Sequence, residues 1–263
     1  SSSQQSGGIL VTASDKGKDT AIEITNCDIK NNSSTYGGGL YVISGDTKLY
    51  NCTISGNTTS SRGGGVYANG GTNTLSSCTI SDNEAYYGGG VYANGGTNTL
   101  LSCTISDNEA YYGGGVYVNG GTNTLSNCSI TGNTAFSRGG GVGAYKNITL
   151  LGNMNISGNT SESSGNNLYL NSSYTVALSD SSGNKLSSGS RIGVATYNQP
   201  TSGSDVKFAT NATEAWMKSC FSSDSASYNV TRKTDDCLYL TAEFKTYTDL
   251  YYINGILYGD EAL

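Results

Sequence analysis

Histidine is absent from this chain of 263 residues, which also contains one proline, one tryptophan and four phenylalanines. Without an imidazole there is no Ser-His-Asp triad and no histidine-ligated metal, so an enzyme of this composition would work with carboxylates, lysine, arginine or tyrosine. The shortage of proline excludes a collagen helix in spite of the 37 glycines. No apolar run approaches the roughly 18 residues of a membrane span, so we expect no membrane insertion by this segment.

Positive charge is also scarce. The chain has 14 Lys and Arg against 20 Asp and Glu, for a net charge of -6. The basic residues are scattered and form no stripe that would neutralise phosphates, so we expect no nucleic-acid partner. The glycine triplets lack the Lys-Ser/Thr that completes a phosphate-binding loop, and the composition suggests no metal site. We therefore predict no cofactor.

Glycine and tyrosine are abundant, and they recur with a period of 25 or 26 residues. Residues 82–106 are repeated almost unchanged at 107–131. Each unit contains three short runs of strand character, such as residues 65–68, 73–75 and 78–81, and no helical run. The runs are separated by turns, such as Asp-Asn-Glu-Ala at 82–85. Three strands and three turns in about 25 residues predict one coil of a parallel β-helix, right-handed by the rule for parallel crossovers. The predicted fold class is therefore an all-β solenoid.

The repeat becomes irregular towards the end of the chain. We assign residues 1–195 to the β-helix and residues 196–263 to a small C-terminal β-rich cap or module. This second part contains the single proline, Pro200, in a linker-like stretch. It ends with Asn254-Gly255 between aromatic and apolar residues, a pattern typical of a β-hairpin.

Identical residues of successive coils stack in a parallel β-helix, which explains several polar columns. An asparagine repeated at one turn can form an amide ladder that satisfies backbone groups at the bend. The predicted structural ladder is Asn32, Asn57, Asn83, Asn108, Asn133 and Asn159. A second column is expected to fill the core as thiols: Cys27, Cys52, Cys78, Cys103 and Cys128. Cys220 and Cys237 lie outside this column and are the candidate disulfide.

The motif GGGVY, followed by Cys-Thr-Ile-Ser-Asp/Gly-Asn, resembles the GGA[IV] and FxxN repeats of the polymorphic outer membrane proteins and related bacterial β-helix surface proteins. The resemblance covers roughly residues 7 to 195. It implies adhesion or display at the cell envelope and does not identify a receptor.

Tyrosine alternates with the inward valines, so the sequence predicts an outward aromatic stripe. Its members are Tyr41, Tyr67, Tyr92 and Tyr117. Stacked tyrosines offer a large amphipathic surface for sugar rings or proteins, and we take these four as candidate binding residues. The alternative is cross-coil packing that only stiffens the sheet.

Catalytic residues are not expected. The carboxylates Asp82, Glu84, Asp107 and Glu109 follow the repeat, whereas catalytic constellations usually interrupt one. Arg62 and Arg138 share a Ser-Arg-Gly-Gly-Gly context three coils apart and are expected in loops. The carboxylate columns suggest a solvated edge or a weak attraction for Ca²⁺.

The sequence therefore favours a non-enzymatic extracellular structural or adhesive protein, displayed at the cell surface or assembled into a filament. Its expected partners are other copies of itself or a host or cell-surface protein or glycan. One alternative is a carbohydrate-active β-helix enzyme, either a lyase or a glycosidase, because that chemistry occurs on the same fold. A second alternative is ice binding by Thr-x-Thr ranks at Thr72/Thr74, Thr97/Thr99 and Thr122/Thr124.

Overall fold

The computed structural model describes residues 6–13, 21–163, 165–179 and 185–242, together with the backbone of strands Tyr247–Ile253 and Ile256–Glu261. The repeating unit is a coil whose strands pair with the equivalent strands of neighbouring coils. These pairings are parallel and place like residues opposite each other, as in the column Val66, Val91 and Val116. The predicted all-β parallel β-helix is confirmed.

The three strand runs predicted for each coil are present, and we call them the valine, leucine and isoleucine legs. The valine leg comprises Ile9–Val11, Leu40–Val42, Val66–Ala68, Val91–Ala93, Val116–Val118, Val142–Ala144 and Leu168–Leu170. The leucine leg comprises Ala21–Thr25, Asp46–Tyr50, Thr72–Ser76, Thr97–Leu101, Thr122–Ser126, Ile148–Leu151 and Val176–Leu178. The isoleucine leg comprises Asp28–Lys30, Thr53–Ser55, Thr79–Ser81, Thr104–Ser106, Ser129–Thr131 and Asn155–Ile156.

A fourth short strand lies in the segment predicted as a turn before the glycine triplet, and we call this series the tyrosine leg. It comprises Ser33–Tyr36, Thr58–Arg62, Glu84–Tyr87, Glu109–Tyr112, Thr134–Arg138 and Thr160–Ser161. Alternation along Glu84–Tyr87 buries Ala85 and exposes Glu84 and Tyr86. The tyrosine leg therefore adds an outward face that the repeat pattern did not predict.

The core is a set of side-chain columns that run along the solenoid. Within one coil, Val66, Leu75, Cys78 and Ile80 are all at most 2 % exposed. Equivalent residues of the other coils stack above and below them, so each coil buries its apolar face against its neighbours. This arrangement gives the chain a continuous core although only 35% of its residues are hydrophobic.

The third glycine of each triplet leaves room for the asparagine of the adjoining corner. A Cβ atom on Gly65 would lie 3.1 Å from Nδ2 of Asn83 and 2.6 Å from the carbonyl oxygen of Gly90. A substituted residue at this position would displace both the amide ladder and the next coil. The triplet is therefore a packing requirement of the corner.

The last coil omits the tyrosine leg. Strand Arg191–Thr196 pairs through Ile192 with Ile156 of the isoleucine leg and through Val194 with Leu168 of the valine leg. In the regular coils, a tyrosine-leg strand, a corner and a glycine triplet lie between the isoleucine and valine legs. In the last coil, the single strand Arg191–Thr196 occupies both leg positions and these intervening parts are missing. The corner asparagine has no counterpart in this coil.

Parallel pairing continues past residue 195, the predicted end of the β-helix. Strand Val206–Thr210 pairs in parallel with Val176–Leu178, and Phe221–Ser223 pairs in parallel with Arg191–Thr196. The short 3-10 helix Ala215–Cys220 lies between them. The division into two domains stays a prediction, because the pairing shows no break at the proposed boundary.

Antiparallel strands then cover the end of the leucine leg. Leu238–Ala242 pairs antiparallel with Val206–Thr210, and Tyr228–Arg232 pairs antiparallel with Leu238–Ala242. The strands Tyr247–Ile253 and Ile256–Glu261 also pair antiparallel, in the segment where a hairpin was predicted, while residues 254 and 255 lie outside the described residues. No helix of the described residues is long and apolar enough to cross a membrane.

Candidate functional site

The four tyrosines predicted to form an exposed stripe lie in the valine leg and are buried. Tyr41, Tyr67, Tyr92 and Tyr117 are 4 to 9 % exposed. Consecutive rings are in contact, with centroids 4.6, 5.0 and 5.4 Å apart. The predicted exposure is wrong, and the alternative of cross-coil packing describes these four residues.

The tyrosine leg provides the cover. Tyr36, Tyr87 and Tyr112 fold over the inner column, and Tyr145 packs against its last member with ring centroids 4.9 Å apart. Tyr87 contacts two inner rings, at 6.1 Å from Tyr92 and 5.3 Å from Tyr117. Because this cover removes water, burial raises the pKa of Tyr67 to about 12. The inner phenols are therefore neutral at ordinary pH.

Arg62 and Arg138 end strands of the tyrosine leg, so their predicted placement in loops is wrong. They occupy the same register position as Tyr87 and Tyr112. The Arg62 guanidinium carbon lies 5.8 Å from the ring centroids of both Tyr36 and Tyr92. Each arginine thus replaces one covering tyrosine with a cation over aromatic faces, which keeps the column packed.

A second aromatic column lies outside the first, and we call it the outer row. It consists of Tyr86, Tyr111 and Phe136, each of which follows an alanine that is paired in register with the alanine of a neighbouring strand. The Tyr86 and Tyr111 rings are parallel within 1° with centroids 4.9 Å apart, and Tyr111 and Phe136 are 5.2 Å apart. Tyr86 is 43% exposed and Phe136 is 55% exposed. The outer row is therefore the exposed aromatic surface of this corner.

Sequence reasoning assigned the surface to the wrong tyrosines. The Tyr-Tyr pairs at 86–87 and 111–112 carried the signal, since two adjacent residues of a strand point to opposite faces. Because the segment before the glycine triplet was predicted as a turn, no alternation of inward and outward side chains was expected there. As a strand, it sends one tyrosine of each pair inward as cover and the other outward.

The repeated carboxylates lie beside the outer row. Glu84 and Glu109 are paired in register and exposed, on the same strand face as Tyr86 and Tyr111. Asp82 and Asp107 are turn residues with left-handed backbone at φ 56°. No group of three or more metal-ligating side chains occurs among the described residues. The carboxylates make the rim of the aromatic surface polar.

The predicted asparagine ladder is confirmed, and its hydrogen bonds run in one direction. Nδ2 of Asn57 donates to Oδ1 of Asn83 at 2.9 Å, and the Asn57 backbone N–H donates to the same oxygen at 3.0 Å. The second Nδ2 hydrogen reaches the carbonyl oxygen of Ile29 at 2.8 Å. The same bonding pattern links each ladder member to the next, from Asn32 to Asn159.

Two further amide ladders were not predicted. In the leucine leg, Asn73 donates to Asn98 at 2.9 Å and Asn98 donates to Asn123 at 3.0 Å, with all three buried. On the surface, Asn119 donates to Asn94 and Asn94 donates to Asn69, both at 2.7 Å. The Thr-Asn-Thr repeat contained the signal, because alternation places its asparagine inward between two outward threonines.

The main ladder ends on a carboxylate. Asn159 donates to Oδ1 of Asn167 at 3.1 Å, and Asn167 donates in turn to Asp224. Burial raises the pKa of Asp224, although the hydrogen bonds from Asn167 oppose that shift. Asp224 lines a cavity of about 370 Å³ together with Asn166, Thr196 and Tyr228. It is the one carboxylate among the described residues that line this cavity.

The cysteines of the described chain are all free thiols. Cys52, Cys78, Cys103 and Cys128 are buried in the core as predicted, whereas Cys27 in the first coil is exposed. The disulfide predicted between Cys220 and Cys237 is not formed. Their Sγ atoms donate to different parts of the chain, Cys220 to Ser187 O and Cys237 to Asp235 O.

Comparison with known proteins agrees with this architecture. Residues 7–192 match the family model described as the right-handed β-helix region. Searches of curated proteins and of solved structures find no match. The matched segment covers well over half of the 263 residues, so the predicted handedness is confirmed. The coils, their ladders and the family match together place the chain in the right-handed β-helix family.

Proposed function

We propose that this protein is a non-enzymatic extracellular structural and adhesive β-helix. In this proposal it is displayed at a cell surface, as the resemblance to the polymorphic outer membrane proteins and related adhesins suggests, and contacts a host or cell-surface protein or glycan. The observation that carries the proposal is the outer row. Its members Tyr86 and Phe136 are two of the six large hydrophobic side chains exposed among the described residues.

The geometry of the outer row suits a contact surface. Tyr111 is covered on both faces by its neighbours, so the free aromatic faces belong to Tyr86 at one end and Phe136 at the other. The ring edges between them form a continuous apolar ridge, with Glu84 and Glu109 exposed beside it. Because the strands fix these rings in place, binding would cost little side-chain entropy.

The C-terminal end of the solenoid favours display over end-to-end assembly. At the C-terminal end, strands Leu238–Ala242 and Tyr228–Arg232 cover the last parallel strand of the leucine leg with antiparallel pairing. A second copy would have to displace them in order to continue the parallel ladder there. We therefore propose a displayed rod in preference to a filament.

The carbohydrate-active alternative requires a second catalytic group. A glycosidase uses two carboxylates across one groove, and a lyase needs a base with a cationic group that holds the uronate. The cavity at Asp224 offers one carboxylate and no Lys or Arg among its described lining residues. This composition supports the non-enzymatic proposal.

The proposal is tested by screening the purified chain on arrays of glycans and of extracellular matrix proteins. The chain should bind a defined subset of probes, and a double variant, Tyr86→Ser with Phe136→Ser, should lose that binding. Tyr197→Ser is the matched control, because Tyr197 is 53% exposed and lies outside the outer row. Equal binding by the wild type and the double variant would refute the assignment of the surface.

A second candidate function, ice binding, rests on the threonine ranks. Thr72, Thr97 and Thr122 are exposed and in register, and Thr74, Thr99 and Thr124 form a parallel, half-buried rank beside them. Such a flat, regular hydroxyl and methyl array could order water. Thermal hysteresis in the wild type that disappears in Thr97→Lys would support this candidate, and a freezing point equal to the melting point would exclude it.

A further inference from the structure

We propose that Tyr86 and Tyr111 form an oxidative cross-linking site, at which a haem peroxidase with hydrogen peroxide couples the two rings into dityrosine. The product would join two consecutive coils covalently. The inference concerns a modification of the chain itself, so it does not depend on the ligand proposed above.

The two rings are held in position for coupling. Their strands are in register through Ala85 with Ala110 and through Tyr87 with Tyr112. The rings lie face to face, with centroids 4.9 Å apart and planes within 1°. Beneath them, Tyr87 and Tyr112 make edge contacts at 4.7 and 4.8 Å that hold each ring from the core side. Two radicals formed here would meet without any diffusion of the chain.

The surroundings make this pair selective. Tyr86 is 43% exposed, so an oxidant in solvent reaches its phenol. Tyr111 has Phe136 on its other face at 5.2 Å, and a phenylalanine ring has no phenol to couple. The inner tyrosines stack as well, but Tyr92 and Tyr117 are only 4 and 5 % exposed. The outer row therefore offers a stacked phenol pair with one exposed member. Tyr87 and Tyr112 also stack, with ring centroids 5.4 Å apart, but both members of that pair are half-buried.

The chemistry balances with peroxide as the oxidant. Each phenol loses one electron and one proton to give a phenoxyl radical, and the peroxidase uses these two electrons and two protons to reduce one hydrogen peroxide to two waters. The radicals combine through their ortho carbons and form one carbon–carbon bond. Loss of the two ortho protons and return of two protons to the oxygens restores both aromatic rings. The cross-linked chain is therefore lighter by two hydrogen atoms.

The experiment treats the dilute, folded chain with a haem peroxidase and limiting hydrogen peroxide. Dityrosine fluorescence is recorded, and the cross-linked peptides are mapped by mass spectrometry. We expect one main intramolecular product, a peptide pair joined at Tyr86 and Tyr111. Tyr86→Phe and Tyr111→Phe should abolish it, whereas the matched controls Tyr87→Phe and Tyr112→Phe should retain it. Phenylalanine preserves the ring packing, so these variants should fold normally.

A variant that adds a third phenol to the outer row provides a second test. Phe136→Tyr should add a second product that joins positions 111 and 136, because it places a phenol against the face of Tyr111 that Phe136 covers in the wild type. The urea-unfolded chain should lose the preference for the Tyr86–Tyr111 pair. The proposal is overturned if the wild type gives mainly cross-linked dimers, if the main product survives in Tyr86→Phe, or if folded and unfolded chains give the same product distribution.

Discussion

Asn167 donates two hydrogen bonds to the carboxylate of Asp224, from Nδ2 to Oδ1 at 2.7 Å and from the backbone N–H to Oδ2 at 2.9 Å. Asn167 stands immediately before Leu168, where the other coils have the third glycine of the triplet. That glycine leaves space for an asparagine of the next coil, and the last coil has no such asparagine. Asn167 fills the space itself, and Asp224 provides the final acceptor of the ladder.

Removing the carboxylate should therefore destabilise the end of the solenoid. Asp224→Ala leaves two donors of Asn167 without an acceptor, and we expect the free energy of unfolding to fall by about 1–3 kcal/mol. Asp224→Asn keeps one acceptor oxygen, which can take both bonds as in the rest of the ladder, so it should unfold at the wild-type urea concentration or above. Urea denaturation followed by circular dichroism makes the comparison. Equal stability of Asp224→Ala and the wild type would contradict this role.

The pH dependence of stability should carry the sign of a buried carboxyl. Burial raises the pKa of Asp224 above the ordinary 3.8, so the folded chain binds this proton more tightly than the unfolded chain. The contribution is greatest below pH 3.8 and is lost as the pH rises through the folded-state pKa. Other carboxyls, such as Asp28 beside Lys30, have lowered pKa values and act in the opposite direction.

The difference between the wild type and Asp224→Asn isolates this contribution. As the pH rises from acid to neutral, the wild type should lose stability relative to the variant. The measurement is a series of urea midpoints for both proteins across that range. A difference that stays constant, or that changes in favour of the wild type, would contradict the raised pKa.

The buried ladder of the leucine leg can be extended by one residue. Thr47 lies opposite Asn73 on the neighbouring strand, and both Thr47 Oγ1 and Asn73 Oδ1 are buried without a hydrogen-bond partner. Thr47→Asn would supply an Nδ2 donor to Asn73 and should stabilise the chain by about 1–3 kcal/mol. Thr47→Val is the control, since it removes the unpaired hydroxyl and leaves Asn73 unsatisfied. If Thr47→Val stabilises the chain as much as Thr47→Asn does, the added hydrogen bond to Asn73 is not the cause of the stabilisation.

One thiol of the folded chain should react with a thiol reagent and the others should not. Of the seven cysteines, only Cys27 is exposed, and the other six are buried. A thiol reagent such as Ellman's should therefore label one cysteine per folded chain and seven after unfolding. Cys27→Ser should remove the labelling of the folded chain. Rapid labelling of several thiols in the folded state would show that the core is open, and fewer than seven after unfolding would show disulfides.

The features that were predicted correctly from the sequence are those that follow from the repeat. Each column of identical residues has to stack when the coils are parallel, so the Asn108 ladder and the buried Cys103 followed directly from the period. The burial of Tyr92 could not follow in the same way. It depends on Tyr87 and Tyr112, which lie on strands of the tyrosine leg, and the local sequence of these strands is typical of a turn.

Contacts between residues that are distant in sequence and occur outside the repeat could also not be predicted. Asn167 and Asp224 are 57 positions apart and occur once each in their roles, so no column shows the pair. Likewise, the prediction for Cys220 and Cys237 rested only on their lying outside the cysteine column, and in the fold their thiols donate to different segments. For Asn167 and Asp224, the irregular last coil decides the contact, because the strand Arg191–Thr196 takes the place of a whole corner.

The measurement that tests the central claim most directly is the affinity of the outer row for a ligand found on the arrays. Biolayer interferometry would compare the wild type, Tyr86→Ser with Phe136→Ser, and Tyr197→Ser. Loss of two exposed aromatic contacts should weaken binding at least about tenfold, while Tyr197→Ser binds as the wild type does. Unchanged affinity of the double variant would contradict the claim that this row forms the contact surface of the β-helix.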